Sequence, residues 1–134
     1  MAEPTFAVPM LPPSIARRRA GSGVTYAVVA LLDGPARTAL YRHVLADLLG
    51  GVRAFTIDLA AAGPLDDRFG QTIADVFARI HEVRTPGPRA ALALVGVSAE
   101  QRAQLERWRI THVVPVELRD GSIEPLTLTE EIPL

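Results

Sequence analysis

The sequence predicts an α/β domain with a mixed, mostly parallel sheet and helices packed on it. Three observations carry this. Apolar runs of strand length alternate with helical stretches in the order strand, helix, strand, helix, strand, helix, strand. The runs are near-continuous in apolar residues, as in sheets covered by helices. Gly, Pro and Asp clusters punctuate the joins. Such alternation makes neighbouring strands parallel and the crossovers right-handed.

Residues 1–23 are Pro-rich, then basic, and end in Gly21-Ser22-Gly23; they read as an extended arm, with one short strand over Thr5–Val8. Thr25–Leu32 is the first apolar run and reads as a strand buried on both faces. Asp33-Gly34-Pro35 ends it, and Pro35 fits the first turn of a helix, where its missing N–H is not needed. Leu40, Tyr41, Val44, Leu45 and Leu48 recur at helical spacing over Ala36–Leu49, before Gly50-Gly51 stops that helix. Ala54–Ala60 is the next strand and Gly63-Pro64 the next turn. Phe69, Ile73, Val76, Phe77, Ile80 and Val83 then fall within an arc of about 120°, a core-facing stripe. Pro86-Gly87-Pro88 ends this helix, and Ala90–Val95 is a buried strand. Ser98 and Gln101 form a capping-box pair that opens a short helix through Leu105 and Trp108. Ile110–Val116 reads as the last strand, with Pro115 pointing to an edge position. Residues 117–134 show no sustained period and carry Pro125 and Pro133.

Composition narrows the function. The 134 residues are 49% hydrophobic, enough for one packed core and too much for a disordered chain. No apolar stretch reaches membrane-span length. The net charge of -1 lacks the basic excess of a generic nucleic-acid binder. There are no cysteines, so disulfides, zinc–thiolate sites and Cys nucleophiles are excluded, and a reducing cytoplasm fits. Every basic residue is Arg. The ends differ in sign: Arg17, Arg18 and Arg19 near the start face a tail rich in Asp and Glu.

Catalytic material is scarce. No Gly-rich phosphate loop is present. His43 and His81 lie on helices without partners at metal-ligand spacing. Ser98, His112 and Asp58 form a triad only on paper, without a nucleophile elbow. Asp66 and Asp67 read as a helix cap and a favourable charge at its positive end. Arg68 is anomalous, because a cation in the first turn opposes the helix dipole. Either the two carboxylates compensate it or it serves a partner.

From about Val24 to Val116 the chain resembles the STAS domain of anti-sigma factor antagonists and sulfate-transporter tails. The likeness rests on AVVALLDGPARTALYRHVLADLL, FTIDLAAAGPLDDRFGQTIADVF, ALALVGVSAEQRAQLERWRI and THVVPV, in that order. It divides the chain into a Pro/Arg-rich arm (1–23), a STAS-like domain (24–116) and an acidic tail (117–134) where many members carry a further helix. It implies a non-catalytic, cytoplasmic, partner-switching module in transcription regulation, which binds an anti-sigma factor or another kinase-like protein. It implies no cofactor, metal, nucleic acid or membrane span, and leaves a homodimer open.

In that family a Ser after the Asp of an Asp-Ser-x-Gly turn is phosphorylated, which adds charge to the docking surface. Here Asp67 and Gly70 match the turn, but the acceptor position holds Arg68. An Asp that the family tends to place three residues after the earlier Gly34 is Arg37. Thr72 is a hydroxyl one turn on, with nothing to make it a substitute. The expected docking residues are Asp33, Gly34, Arg37, Asp66, Asp67, Arg68, Phe69, Gly70 and Thr72, with docking independent of phosphorylation at residue 68. Alternatives are a structural STAS subunit of a stressosome-like or lipid-transport assembly, and a module in which Arg37 and Arg68 hold a small anion or nucleotide.

Overall fold

The computed structural model describes residues 10–82 and 89–124. Among the described residues six strands form one sheet in sequential order: β1 (Ile15–Ala20), β2 (Gly23–Val28), β3 (Ala54–Asp58), β4 (Ala91–Val97), β5 (Val116–Leu118) and β6 (Ile123–Glu124). The four central strands run parallel, and β1 and β6 pair antiparallel at the two edges. Helices α1 (Gly34–Leu49), α2 (Asp67–Glu82) and α3 (Ala99–Arg107) join successive parallel strands. This is the mixed α/β architecture expected from the alternating pattern. Among the described residues, no helix is long and apolar enough to cross a membrane.

The helices cover a single face. In β2, Val24, Tyr26 and Val28 are buried while Gly23, Thr25 and Ala27 are only partly so; β3 and β4 alternate in the same way. Phe55, Ile57, Leu92 and Leu94 meet Leu40, Val44 and Leu48 of α1 and Phe69, Ile73 and Val76 of α2 in one core. Each such side chain contributes roughly 1.5–3 kcal/mol by leaving water. The expectation of strands buried on both faces is therefore corrected: the near-continuous apolar runs arise because the other face of β2–β4 carries Gly, Ala, Thr and Val, with Asp58 its one charge.

Element boundaries also differ from expectation: the strands expected over Ala54–Ala60 and Ala90–Val95 run over Ala54–Asp58 and Ala91–Val97, and four larger differences follow. The expected arm is part of the sheet, because residues 15–20 form β1. The Arg run hid it. As an edge strand β1 keeps its charges in water, which guards it against pairing with another chain. Only Ile15 of this strand is buried. Thr5–Val8 lies outside the described residues, as do Val83 and Pro86–Pro88. The first strand stops at Val28, so Val29 and Leu31 stand exposed in the loop that follows. Ile110–Val116 is not one strand. Arg109 turns left-handed at φ 63°, Ile110–His112 make a 3-10 turn that buries Ile110 and Thr111, and the strand begins only at Val116. Pro115 stands at the strand entry, its carbonyl accepting from Leu94 N–H, and β6 rather than β5 is the edge. The start of the expected tail supplies the rest of β5 and all of β6, and residues beyond 124 lie outside the description.

The β1–β2 hairpin is fastened to α1 by a polar clamp. Tyr26, fully buried, donates its hydroxyl to Asp47 Oδ2. Arg17 donates to both oxygens of the same carboxylate, at 3.0 and 2.6 Å. Burial and the adjacent carboxylate hold the Tyr26 phenol well above its ordinary range.

Candidate functional site

The two turns expected to form a site do meet at one end of the sheet. The β2–α1 loop and the β3–α2 loop share a small cleft lined by Ala30, Leu31, Leu32, Ala62, Pro64 and Leu65. Beside it, an open groove of about 680 Å³ runs between α1 and α2. Gly34, Arg37, Thr38 and Tyr41 line it from α1; Arg68, Thr72, Asp75 and Arg79 line it from α2.

Local chemistry explains each turn. Asp33 caps α1, its Oδ1 accepting from Ala36 N–H at 2.8 Å, and Pro35 occupies the first turn as expected. Arg37 folds back to donate to the Leu32 carbonyl at 2.8 Å, which anchors its guanidinium at the corner. Asp66 accepts from Phe69 N–H at 2.8 Å and so caps α2. Asp67 accepts from Trp108 Nε1 at 3.1 Å. Neither carboxylate pairs with Arg68. Arg68 is exposed, and among the described residues its guanidinium has no hydrogen bond or ion pair with the protein. The alternative that Asp66 and Asp67 compensate it by direct pairing is thus not what the structure shows.

Three of the expected docking residues face inward. Phe69 is a core side chain, 3% exposed. Thr72 is nearly buried and donates its hydroxyl to the Arg68 carbonyl at 3.0 Å, an intrahelical bond. Gly70 is covered by the Trp108 indole: a Cβ there would lie 2.6 Å from Trp108 Cε3. Its role is to let the indole lie against the helix. Asp33, Gly34, Arg37, Asp66, Asp67 and Arg68 remain at or near the surface.

The loop entering α2 is held by Gln104, which no sequence motif marks, and by Gln101, which the capping box marks for α3 alone. Gln104 and Leu65 form a reciprocal pair, Leu65 N–H to Oε1 at 2.9 Å and Nε2 to the Leu65 carbonyl at 2.7 Å. Gln101 is 1% exposed. Its Oε1 completes the capping box with Ser98, while its Nε2 donates to the carbonyls of Leu59 and Gly63. Helix α3 thus fixes the turn that presents Arg68. The capping-box motif was the only signal of this; the second use of Gln101 needs the tertiary contact.

Farther along the groove, Arg79 donates Nε to the Tyr41 hydroxyl at 2.7 Å and lies 5.8 Å from the ring centroid. Its pKa is raised by that hydrogen bond. Of the paper triad, Ser98 Oγ accepts from Gln101 N–H and Asp58 Oδ1 from Ala60 N–H, so both serve the backbone. Among the described residues no group of His, Asp and Glu is placed to hold a metal ion.

No protein-family model matches the chain, and no curated protein does. A solved structure of an anti-sigma factor antagonist from Mycobacterium paratuberculosis superimposes with a TM-score of 0.62, over 80% of this chain and 89% of that one, at 15% identity. The fold is that of an anti-sigma factor antagonist. A second similar structure, of Mglu, gives a TM-score of 0.49 at 18% identity, over 60% of this chain and 19% of that one.

Proposed function

We propose that this chain is a non-catalytic regulatory domain, anti-sigma factor antagonist-like, that docks onto an anti-sigma factor or related kinase-like partner without phosphorylation at residue 68. The docking surface is the corner where the 29–37 and 62–68 segments meet. The observation that carries the reading is Arg68. Arg68 puts an exposed cation with no hydrogen bond or ion pair among the described residues into the first turn of α2, beside the Asp66 and Asp67 carboxylates that suit that end of the helix. An exposed guanidinium with no partner in its own domain is available for a charge-assisted contact with another molecule. Leu31, 64% exposed, and Val29, 44% exposed, supply apolar surface at the same corner. Apolar anchors beside Arg are the composition of protein interfaces. Likeness of fold to an anti-sigma factor antagonist supports the class of partner.

The test is affinity purification of the full chain from its native host, followed by binding measurements with the purified partner. The expected partner is a kinase-like ATPase. Arg68→Glu weakens its binding at least about tenfold, the value of one lost charge-assisted contact, and leaves the melting temperature equal or slightly higher. Equal affinity of both forms removes Arg68 from the docking surface. The three arginines of the groove favour a second reading, a small-anion site. Saturable calorimetric binding of inorganic phosphate or ATP, lost in Arg37→Ala and Arg68→Ala, would establish that reading instead.

A further inference from the structure

The groove between α1 and α2 holds an exposed hydroxyl among arginines. Thr38 lines it from α1, and among the described residues its hydroxyl makes no hydrogen bond. Other hydroxyls are committed: Thr72 to the Arg68 carbonyl, Ser122 to Asp120 Oδ1, and Ser98 to the cap of α3. Arg42 follows Thr38 by four positions on the same helix. Side chains so spaced stand about 5–6 Å apart at Cβ, and an anion leading a cation is the better order. Arg42 is exposed and, among the described residues, has no hydrogen bond or ion pair. Arg68 lines the groove from α2 and is equally free. Arg37 lines it too, but its Nη1 is spent on the Leu32 carbonyl. The nearby carboxylates are engaged: Asp75 accepts from Gln71 at 3.1 Å, Glu82 faces Arg79 at 3.7 Å, and Asp33 caps α1.

We propose that Thr38 is a phosphorylation site, its phosphate received by Arg42 on its own helix and by Arg68 across the groove. A protein kinase supplies the group from a nucleoside triphosphate. Thr38 Oγ1 bonds to the γ-phosphorus, the bond to the nucleoside diphosphate breaks, and the hydroxyl proton passes to a base of the kinase. The modified side chain carries close to two negative charges and three strong acceptor oxygens. Two guanidiniums that have no partner among the described residues answer it with charge-assisted bonds, in the fork geometry that suits a phosphate. The phosphate then ties α1 to α2 at the upper end of the groove and takes the place of a free anion there. The assignment rests on the groove alone and holds whether or not Arg68 also meets a partner. Position 68 itself has no hydroxyl and is not the acceptor.

The full chain with phosphothreonine installed at position 38 during expression tests the geometry. In phosphorus NMR titrations the second ionisation of that phosphate falls below its ordinary midpoint of about pH 6, because the guanidiniums favour the dianion. Arg42→Ala and Arg68→Ala each move the midpoint back up, while Arg107→Ala, an exposed arginine at the end of α3, leaves it in place. Circular dichroism of each variant verifies its fold. Occurrence is read from the full chain purified from its native host with phosphatase inhibitors, in which fragment-ion mass spectrometry finds a phosphoryl group on Thr38. A midpoint at the ordinary value overturns the proposal. So does a fall that survives both alanine variants, or a host chain with no phosphoryl group on Thr38.

Discussion

Gly70→Ala should destabilise the protein even though alanine is the better helix former. In an open helix the change is worth about 1 kcal/mol in favour of Ala. Here the new methyl would sit 2.6 Å from Trp108 Cε3 and 2.8 Å from Cδ2, well inside contact distance. The indole must swing out. That removes its cover of α2 and its 3.1 Å hydrogen bond to Asp67. Overpacking of this kind costs about 1–3 kcal/mol and the lost bond about 1 kcal/mol, so the net change is a loss of about 1–3 kcal/mol. For a domain of this length each kcal/mol moves the melting point by about 3–5 °C. Urea denaturation followed by circular dichroism measures the loss. The decisive comparison is the double-mutant cycle. With Trp108→Ala in place the clash is gone, and Gly70→Ala should then stabilise by up to about 1 kcal/mol. A Gly70→Ala change that is neutral or stabilising in the presence of Trp108 refutes the packing account.

Two further outcomes follow from the same structure. Tyr26 keeps its proton in the folded state far above the ordinary phenol value of 10.0, whereas the unfolded chain releases it there. Its stabilisation is therefore complete below about pH 10 and falls with rising pH above it, by about 1.4 kcal/mol per pH unit; in denaturant titrations from pH 9 to 11.5, Tyr26→Phe should flatten this component. Gln104→Ala removes both bonds to Leu65 and should cost about 1–3 kcal/mol, with amide exchange at Leu65 faster than in the wild type; unchanged exchange there would show that Gln104 does not hold the turn.

The elements that packing alone dictates were legible in the sequence. The stripe from Phe69 to Ile80 gave α2, and Asp33-Gly34-Pro35 and Ser98-Gln101 marked the starts of α1 and α3, because caps and stripes are local. Failures came where a residue's partner lies far along the chain. Arg17 looks like a solvated charge until Asp47, thirty positions away, accepts from it. Ile110–Val114 has strand composition, yet it turns as a 3-10 segment after α3, with Ile110 and Val114 buried and Val113 exposed. Gly96 breaks the register of β4 at φ 68°, where any Cβ would strike Asp58 and Ala60; nothing in ALALVGV marks that contact. At the site, the meeting of the two turns followed from the βαβ order, and the cap role of Asp66 from its place. The inward turn of Thr72 did not, nor did the indole over Gly70.

The strictly sequential strand order bears on how the molecule is made. Each parallel strand docks beside the one synthesised just before it, so every loop that must close is about 20–40 residues long. Closure entropy grows only slowly over such lengths. At ribosomal rates of about 5–20 residues per second the next strand emerges within seconds. The sheet can therefore accrete during translation from the hairpin outward, and no early strand waits with an open flank for the far end of the chain.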